Sequence, residues 1–278
     1  MKKILAISGG IDSMVMLHMF KDDLDVVIAH FNHGTRPSSD LDENFCRRSS
    51  AVYRCPFYSQ KVTLGAYASE EKARSARYDF LNQLAKDLNG EIYTAHHQDD
   101  LIESIAINFI RGTGWRGLTP LSFHHHPFLD RPDPLSKKDI LTYAAKHQIT
   151  YRQDPTNTED HYLRNRLRQT LYTGSDPVYK EKMFSLWTKQ KNIRQQIDAL
   201  STEILGQNTK IFEKSLFTST PPKVATELLY QALKINKISL TRPRLADFLT
   251  AINTYQSHKK FNLPADRLAT ITKTTVII

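Results

Sequence analysis

The sequence predicts an α/β chain, a doubly wound parallel sheet followed by a second, smaller domain that is mainly helical. Three observations carry this expectation. Between Lys3 and Ala95 short β-branched runs alternate with longer amphipathic stretches, the pattern of βαβ units. The polar motifs after Ile7, Ala29 and Ala95 each open where a strand ends, at the edge where such sheets gather ligands. Beyond Gly174-Ser175-Asp176-Pro177 the texture changes to long helical patterns, which places the domains at 1–175 and 176–278.

In order along the chain, strands are expected at Ile4–Ile7, Val26–His30, Phe57–Val62 and Glu91–Ala95. Helical periodicity falls between and after them, near 12–22, 39–53, 69–89 and 98–111. Gly112–Pro134, dense in Gly, Pro and His, reads as an irregular connection over the site, and a shorter helix follows near 136–147. In the second domain helices are expected from about Val178 to Leu205, near 222–235 and near 243–254. Lys259–Leu263 and Leu268–Ile278 alternate like a closing pair of strands.

Composition narrows the function classes. The 278 residues suffice for two domains that each bury a core. No apolar run reaches the roughly 18 residues of a membrane span, so no membrane role is expected. The apolar run Ile4–Ile7 stops at Ser8-Gly9-Gly10 and reads as a strand entering a glycine turn, not as a signal peptide. Cys46 and Cys55 form neither a CxxC pair nor a disulfide framework, which fits a reducing, cytoplasmic setting and gives thiol or cysteine–metal chemistry no support. The net charge of +9 is uneven: residues 1–175 hold 22 Lys+Arg against 21 Asp+Glu, and residues 176–278 hold 16 against 8. A basic module attached to a nearly neutral one suits a polyanion, because each neutralised phosphate releases counterions.

Ser8-Gly9-Gly10-Ile11-Asp12-Ser13 lies between a predicted strand and a predicted helix. Glycines there let the backbone approach a phosphate, while helix-start amides and two hydroxyls supply donors. The segment is neither GxxxxGK[ST] nor GxGxxG, so ordinary γ-phosphoryl transfer and dinucleotide binding lose support. Asp99 and Asp100 fall in the first turn of the helix that follows His97, and Glu103 lies three residues beyond Asp100 on the same face. Carboxylates beside a polyphosphate have two suitable jobs, holding Mg²⁺ or handling an ammonium substrate. His124-His125-His126 resembles a metal tract, but adjacent histidines cannot all point one way and lack helical i, i+4 spacing.

SGGxDS after a first strand resembles the PP-loop of the N-type ATP pyrophosphatases. That resemblance implies an adenine nucleotide alpha hydrolase-like sheet, and ATP that adenylates a substrate oxygen and releases pyrophosphate. Further segments resemble one branch, the tRNA(Ile)-lysidine synthases. His30-Phe31-Asn32-His33-Gly34-Thr35-Arg36 is similar to their HxNHGLR, departing at Thr35, where the family usually has an apolar residue. Glu70 to Tyr78 is similar to ExxARxxRY, and Ala95 to Glu103 to AHHxDDxxE, continued by Arg111-Gly112-Thr113-Gly114. Asp154-Pro155-Thr156-Asn157 and Arg164-Asn165-Arg166-Leu167-Arg168 resemble the DPTN and RNxxR signatures.

The resemblance implies a cytoplasmic ligase that uses ATP and Mg²⁺ to join free L-lysine to C2 of the wobble cytidine, position 34, of the CAU-anticodon isoleucine tRNA. An adenylated cytidine is the implied intermediate, and AMP and pyrophosphate leave. Ser8, Gly9, Gly10, Ile11, Asp12 and Ser13 would hold ATP; Asp12 and Glu103, with Asp100 close behind, would contact Mg²⁺ or the amine. His33 and His96 would orient the adenylate or relay protons. Arg74 and Arg77 would hold a phosphate or the lysine carboxylate, with Arg111, or Arg116, facing the leaving group and Arg166 a further substrate contact. The target base must leave its stack, which favours an anticodon loop. Lys180, Lys182, Lys189, Lys191, Arg194, Arg242, Arg244, Lys259 and Lys260 are candidates for gripping the tRNA, whereas Phe184 and Trp187 read as core. Longer family members carry a C-terminal domain that a chain of this length is not expected to hold in full. A PP-loop thiolase would need suitably spaced cysteines, and a catalytically dead RNA-binding relative would not be expected to keep Asp12, Asp100 and Glu103.

Overall fold

A computed structural model of the chain describes residues 1–34, 38–62, 70–121, 124–152, 177–206, 210–255 and 258–278. The chain divides into two compact units, Met1–Ser185 and Leu186–Ile278.

In the first unit β1 (Lys2–Ala6), β2 (Val26–Asn32), β3 (Phe57–Lys61) and β4 (Gly90–Tyr93) form a parallel sheet in the order β3-β2-β1-β4. The connecting helices are α1 (Ile11–Met19), α2 (Ser39–Val52) and α3 (Glu70–Asp87), and α4 (Gln98–Ile110) follows β4. The doubly wound sheet therefore forms as the sequence predicts. Successive strand residues point to opposite faces, and both faces here are covered. Leu5, Ile7, Val26 and Ile28 pack with Val15 and Leu17 of α1, Cys46 of α2, and Ile140 and Ala144 of α5 (Lys137–Lys146). Ile4, Val27, Ala29 and Ile92 pack with Leu81 and Leu84 of α3. Each such apolar side chain contributes about 1.5–3 kcal/mol when fully buried, so the near-continuous hydrophobic run of β2 is what fixes it as an inner strand.

Strand order reverses between β1 and β4, so the loops leaving these two strands diverge and open a crevice at the sheet's carboxyl edge. Two capping boxes set the helices that line it. His97 accepts from the Asp100 amide at 3.4 Å while the Asp100 carboxylate accepts from the His97 amide at 3.1 Å, starting α4. Ser136 and Asp139 do the same for α5. The described residues of the connection at 112–134 include a 3₁₀ turn, Trp115–Leu118, and His125, which bridges Tyr93 in parallel.

In the second unit α8 (Pro222–Ile235) and α9 (Arg242–Thr254) pack on a small antiparallel sheet, burying Leu229, Phe248, Ala269 and Val276. Helix α6 (Pro177–Leu205) precedes them and α7 (Ser215–Thr218) is a single short turn. The expected closing pair of strands is a four-stranded sheet in the order β5-β8-β7-β6. Leu268–Ile278 breaks into β7 (Leu268–Ile271) and β8 (Thr275–Ile277), because the Thr272 hydroxyl accepts from the Thr275 amide at 2.8 Å and turns the chain. β6 (Lys259–Asn262) pairs with β7, and β5 (Ile211–Glu213) adds to the edge of β8. No helix among the described residues is long and apolar enough to cross a membrane.

Candidate active site at the sheet switch point

The glycine loop leaves β1 and becomes the first turn of α1. Gly9 has φ +89, a left-handed conformation that favours glycine, and a Cβ there would fit tightly, 3.3 Å from Cys46 Sγ and 3.4 Å from the Phe45 ring. Ser13 Oγ donates to the Gly10 carbonyl at 2.8 Å and accepts from the Ser8 amide at 3.2 Å, closing the loop on itself. The Gly9 carbonyl accepts the Arg152 amide at 2.9 Å, and the Arg152 guanidinium is tied to Asp42. No side chain caps the amides of α1, so the positive helix end is available to an anion. Cys46 under the loop is buried and its thiol is pushed up to about 12 by burial, which keeps it protonated and unreactive.

Asp12 projects from this turn, and its Oδ1 lies 2.5 Å from Lys137 Nζ and 3.9 Å from His97 Nε2. His97 Nε2 is also 3.4 Å from Asp100 Oδ2, so one buried imidazole lies between the carboxylates of the two loops. Asp99 and Asp100, adjacent in sequence, part company. Asp99 is buried and accepts the Lys137 amide and the Lys180 ammonium, each at 2.7 Å. Asp100 instead lines a pocket of about 270 Å³ together with His33, Ala73, Arg74, Arg77, His96, Ser104 and Leu121. Glu103 is buried on α4.

This pocket brings together five residues singled out from sequence: His33, His96, Asp100, Arg74 and Arg77. Its volume suits one small ligand at a time, near the lower bound of about 300 Å³ for small-molecule sites. Tyr78 organises the arginines, with Arg74 4.9 Å and Arg77 5.4 Å from its ring centroid and His124 stacked on it. Burial holds His96 well below the ordinary imidazole range, and the neighbouring His126 ring and the guanidinium groups of Arg74 and Arg77 add to the effect. His96 is thus neutral at physiological pH, an acceptor rather than a cation. Arg111 lies exposed at the end of α4 and outside the pocket, and Arg116 stacks on Trp115 at 4.8 Å. Arg166, with the DPTN and RNxxR segments, Thr35 and Arg36, lies outside the described residues.

A model of the PP-loop domain family, ATP_bind_3, matches residues 1–174. The tRNA(Ile)-lysidine synthase of Petrotoga mobilis is 31% identical over 229 residues, an alignment covering 76% of this chain and 73% of that protein. The chain belongs to the tRNA(Ile)-lysidine synthase family of PP-loop proteins. The bifunctional protein TilS/HprT of Listeria monocytogenes is 31% identical over 238 residues, covering 74% of this chain but 35% of that protein. The chain therefore spans between about a third and about three quarters of the length of these two curated relatives. Among solved structures, the U34-tRNA thiolase NcsA of Methanococcus maripaludis superposes with a TM-score of 0.55 at 14% identity, over 69% of this chain and 72% of that one, a likeness of fold.

Read as a lysidine synthase family site, the crevice contains residues to which the sequence alone assigns no role. His97 carries an N-cap signal, a helix start three residues before an acidic side chain, but its bridging position is visible only in space. Lys137 and Lys180 have no local signal, because they meet Asp12 and Asp99 across 125 and 81 residues. Of the expected RNA-gripping cations, Lys180 is engaged by Asp99, Arg194 is buried, and Arg244 donates to the Asn262 carbonyl at 2.7 Å. Trp187 is buried, as its reading as core requires.

The depressed imidazoles give the folded chain an acid limit. His30, which bonds the Ile7 carbonyl at 2.8 Å, is also lowered by burial. Below about pH 6.5 the unfolded chain protonates these histidines while the folded chain does not, so their contribution to stability is full above that value and is lost as pH falls towards the folded values. The melting temperature is expected to drop between pH 7.5 and 5.5 in a scan by circular dichroism; a flat profile across that window would contradict neutral burial of His30 and His96.

Proposed function

We propose that the chain is a cytoplasmic enzyme that ligates free L-lysine to C2 of the wobble cytidine, position 34, of the CAU-anticodon isoleucine tRNA, consuming ATP and releasing AMP and pyrophosphate through an adenylated cytidine. The observation that carries this reading is the convergence, at one switch point, of a glycine loop built for phosphate with a pocket lined by Asp100, His33, His96 and two arginines. In this reading Ser8 to Ser13 bind the pyrophosphate portion of ATP through backbone amides and hydroxyls. Asp12 is partly exposed and already faces an ammonium, so its carboxylate can take a cation shared with phosphate oxygens, which would supply the remaining ligands with Glu103 as a proposed second carboxylate. Bound there, Mg²⁺ would neutralise charge building on the departing pyrophosphate.

Asp100 receives the lysine ammonium, and the neutral His96 takes its excess proton, since an amine with a pKa near about 10.4 must lose one before attacking C2. Arg74 and Arg77 hold an anionic group, a phosphate or the lysine carboxylate. Residues 1–175 are proposed as the catalytic domain and 176–278, with most of the net positive charge, as the tRNA-binding domain. The test is to incubate the protein with radiolabelled lysine, Mg-ATP and the isoleucine tRNA and measure label in RNA. ATP-dependent transfer is expected. Pyrophosphate release on another substrate without lysine transfer would keep the ATP site and overturn the assigned substrate.

A further inference from the structure

The run His124-His125-His126 takes no part in the chemistry proposed so far, yet each ring has a distinct place. His124 stacks on Tyr78 with centroids 5.1 Å apart, and His125 stacks on Tyr93 at 4.8 Å with its Nε2 3.3 Å from Glu91. The His125 amide donates to the Ile92 carbonyl at 3.1 Å and the Thr94 amide donates to the His125 carbonyl at 3.0 Å, so the run extends the sheet beside β4. His126 turns back under the pocket. Its Nδ1 lies 2.7 Å from Thr94 Oγ1, and the same hydroxyl lies 2.8 Å from Nδ1 of His96. Thr94 and His126 are both buried, so this hydroxyl links an inner imidazole to one that lines the pocket.

A hydroxyl has one proton to give and lone pairs to receive. If Thr94 gives its proton to one Nδ1, the other Nδ1 must carry its own hydrogen to complete the second bond. A hydroxyl that donates to one ring and accepts from the other thus holds two neutral imidazoles in opposite tautomers. The pocket selects which is which. His96 shares it with the guanidinium groups of Arg74 and Arg77, which face a lone pair favourably and an N–H unfavourably. We propose that Thr94 and His126 are positioning residues that hold His96 as its Nδ1–H tautomer, baring Nε2 to the pocket and opening a proton path to His126.

The inference rests on the lysine-transfer reading, and its step balances. A proton leaves the lysine ammonium for His96 Nε2, the His96 Nδ1 proton moves to Thr94 Oγ1, and the Thr94 hydroxyl proton moves to His126 Nδ1. The amine becomes neutral, His96 and Thr94 end uncharged, and His126 becomes the imidazolium.

Two-bond ¹H–¹⁵N spectra of the full chain labelled on histidine would show the tautomers directly, with His96→Gln and His126→Gln assigning the signals. Nδ1–H at His96 and Nε2–H at His126 are expected. Thr94→Val should abolish the opposition and Thr94→Ser should keep it. In a chase of preformed adenylated tRNA with lysine, Thr94→Val should slow the lysine step about tenfold or more while pyrophosphate release stays within about twofold. His126→Asn, which can bond Thr94 but cannot accept a proton, should slow the same step even if Thr94→Val fails to fold. An Nε2–H tautomer at His96 in the wild type, or a lysine step untouched in the folded variants, overturns the relay. A wild-type chain that transfers no lysine overturns the substrate reading and the proton path with it, and the tautomer pattern then decides on its own whether Thr94 and His126 hold His96 as its Nδ1–H form.

Discussion

Replacing Asp12 by alanine is expected to lower lysine transfer by about 10²–10³-fold, the cost of removing one preorganised charge from a reacting site, with little change in stability. Both parts follow from its position. Asp12 lies in the first turn after the glycine loop, where its carboxylate faces Lys137 Nζ and, further off, His97 Nε2. Without it the proposed Mg²⁺ contact would be lost, and the Lys137 ammonium would lose the carboxylate that holds it in place. Yet Asp12 and Lys137 are each about a third exposed, and a pair so accessible to water is worth only about 0–1 kcal/mol. The loss should therefore appear in pyrophosphate release as well as in lysine transfer, at an unchanged melting temperature. Asp12→Asn separates charge from shape: it keeps an acceptor for Lys137 but not the negative charge. Wild-type rates in that variant would show that the charge of Asp12 serves no step of the reaction.

What could be read from the sequence divides along a physical line. β1 and β2 are legible because their apolar runs are bounded by charged or glycine turns, and the PP-loop because its chemistry is continuous in sequence. The grouping of His33, His96 and Asp100 is also legible, since strand ends in a doubly wound sheet converge whatever the loop lengths, whereas Arg74 and Arg77, carried on α3, enter through the family resemblance alone. β5 was not: three residues with one buried side chain carry too little period to register, and its partner β8 lies more than 60 residues away. The sheet-like course of His125 was hidden because its bonds are to β4 backbone, which side-chain composition does not encode. Lys137 escaped for a similar reason, being placed by the Ser136–Asp139 capping box of a helix that reads as ordinary surface.

Asp99 shows most plainly how adjacent, identical residue types acquire different duties. Asp100 faces the pocket, whereas Asp99, one helical step of about 100° away, is 4% exposed and ties α5 and the start of α6 to α4 through the Lys137 amide and the Lys180 ammonium. Breaking a buried pair by deleting one member costs about 3–5 kcal/mol, and the Lys180 side chain, 24% exposed, can regain some water, so Asp99→Ala belongs near the lower end of that range. For a unit of this size the change corresponds to a fall of roughly 6–12 °C in the first unit's melting temperature. Asp99→Asn keeps an acceptor for the Lys137 amide and should lose less. Hydrogen exchange should localise the loosening to the first turns of α4 and α5, where the Asp99 bonds lie. A melting temperature within about 2 °C of wild type for Asp99→Ala would mean that Lys180 and Lys137 find other partners and that this carboxylate is not a structural tie. The contrast with Asp12→Ala then separates the two kinds of acidic residue at this crevice: one whose loss costs rate without stability, and one whose loss costs stability first and rate only as α5, and with it Lys137, moves away from Asp12.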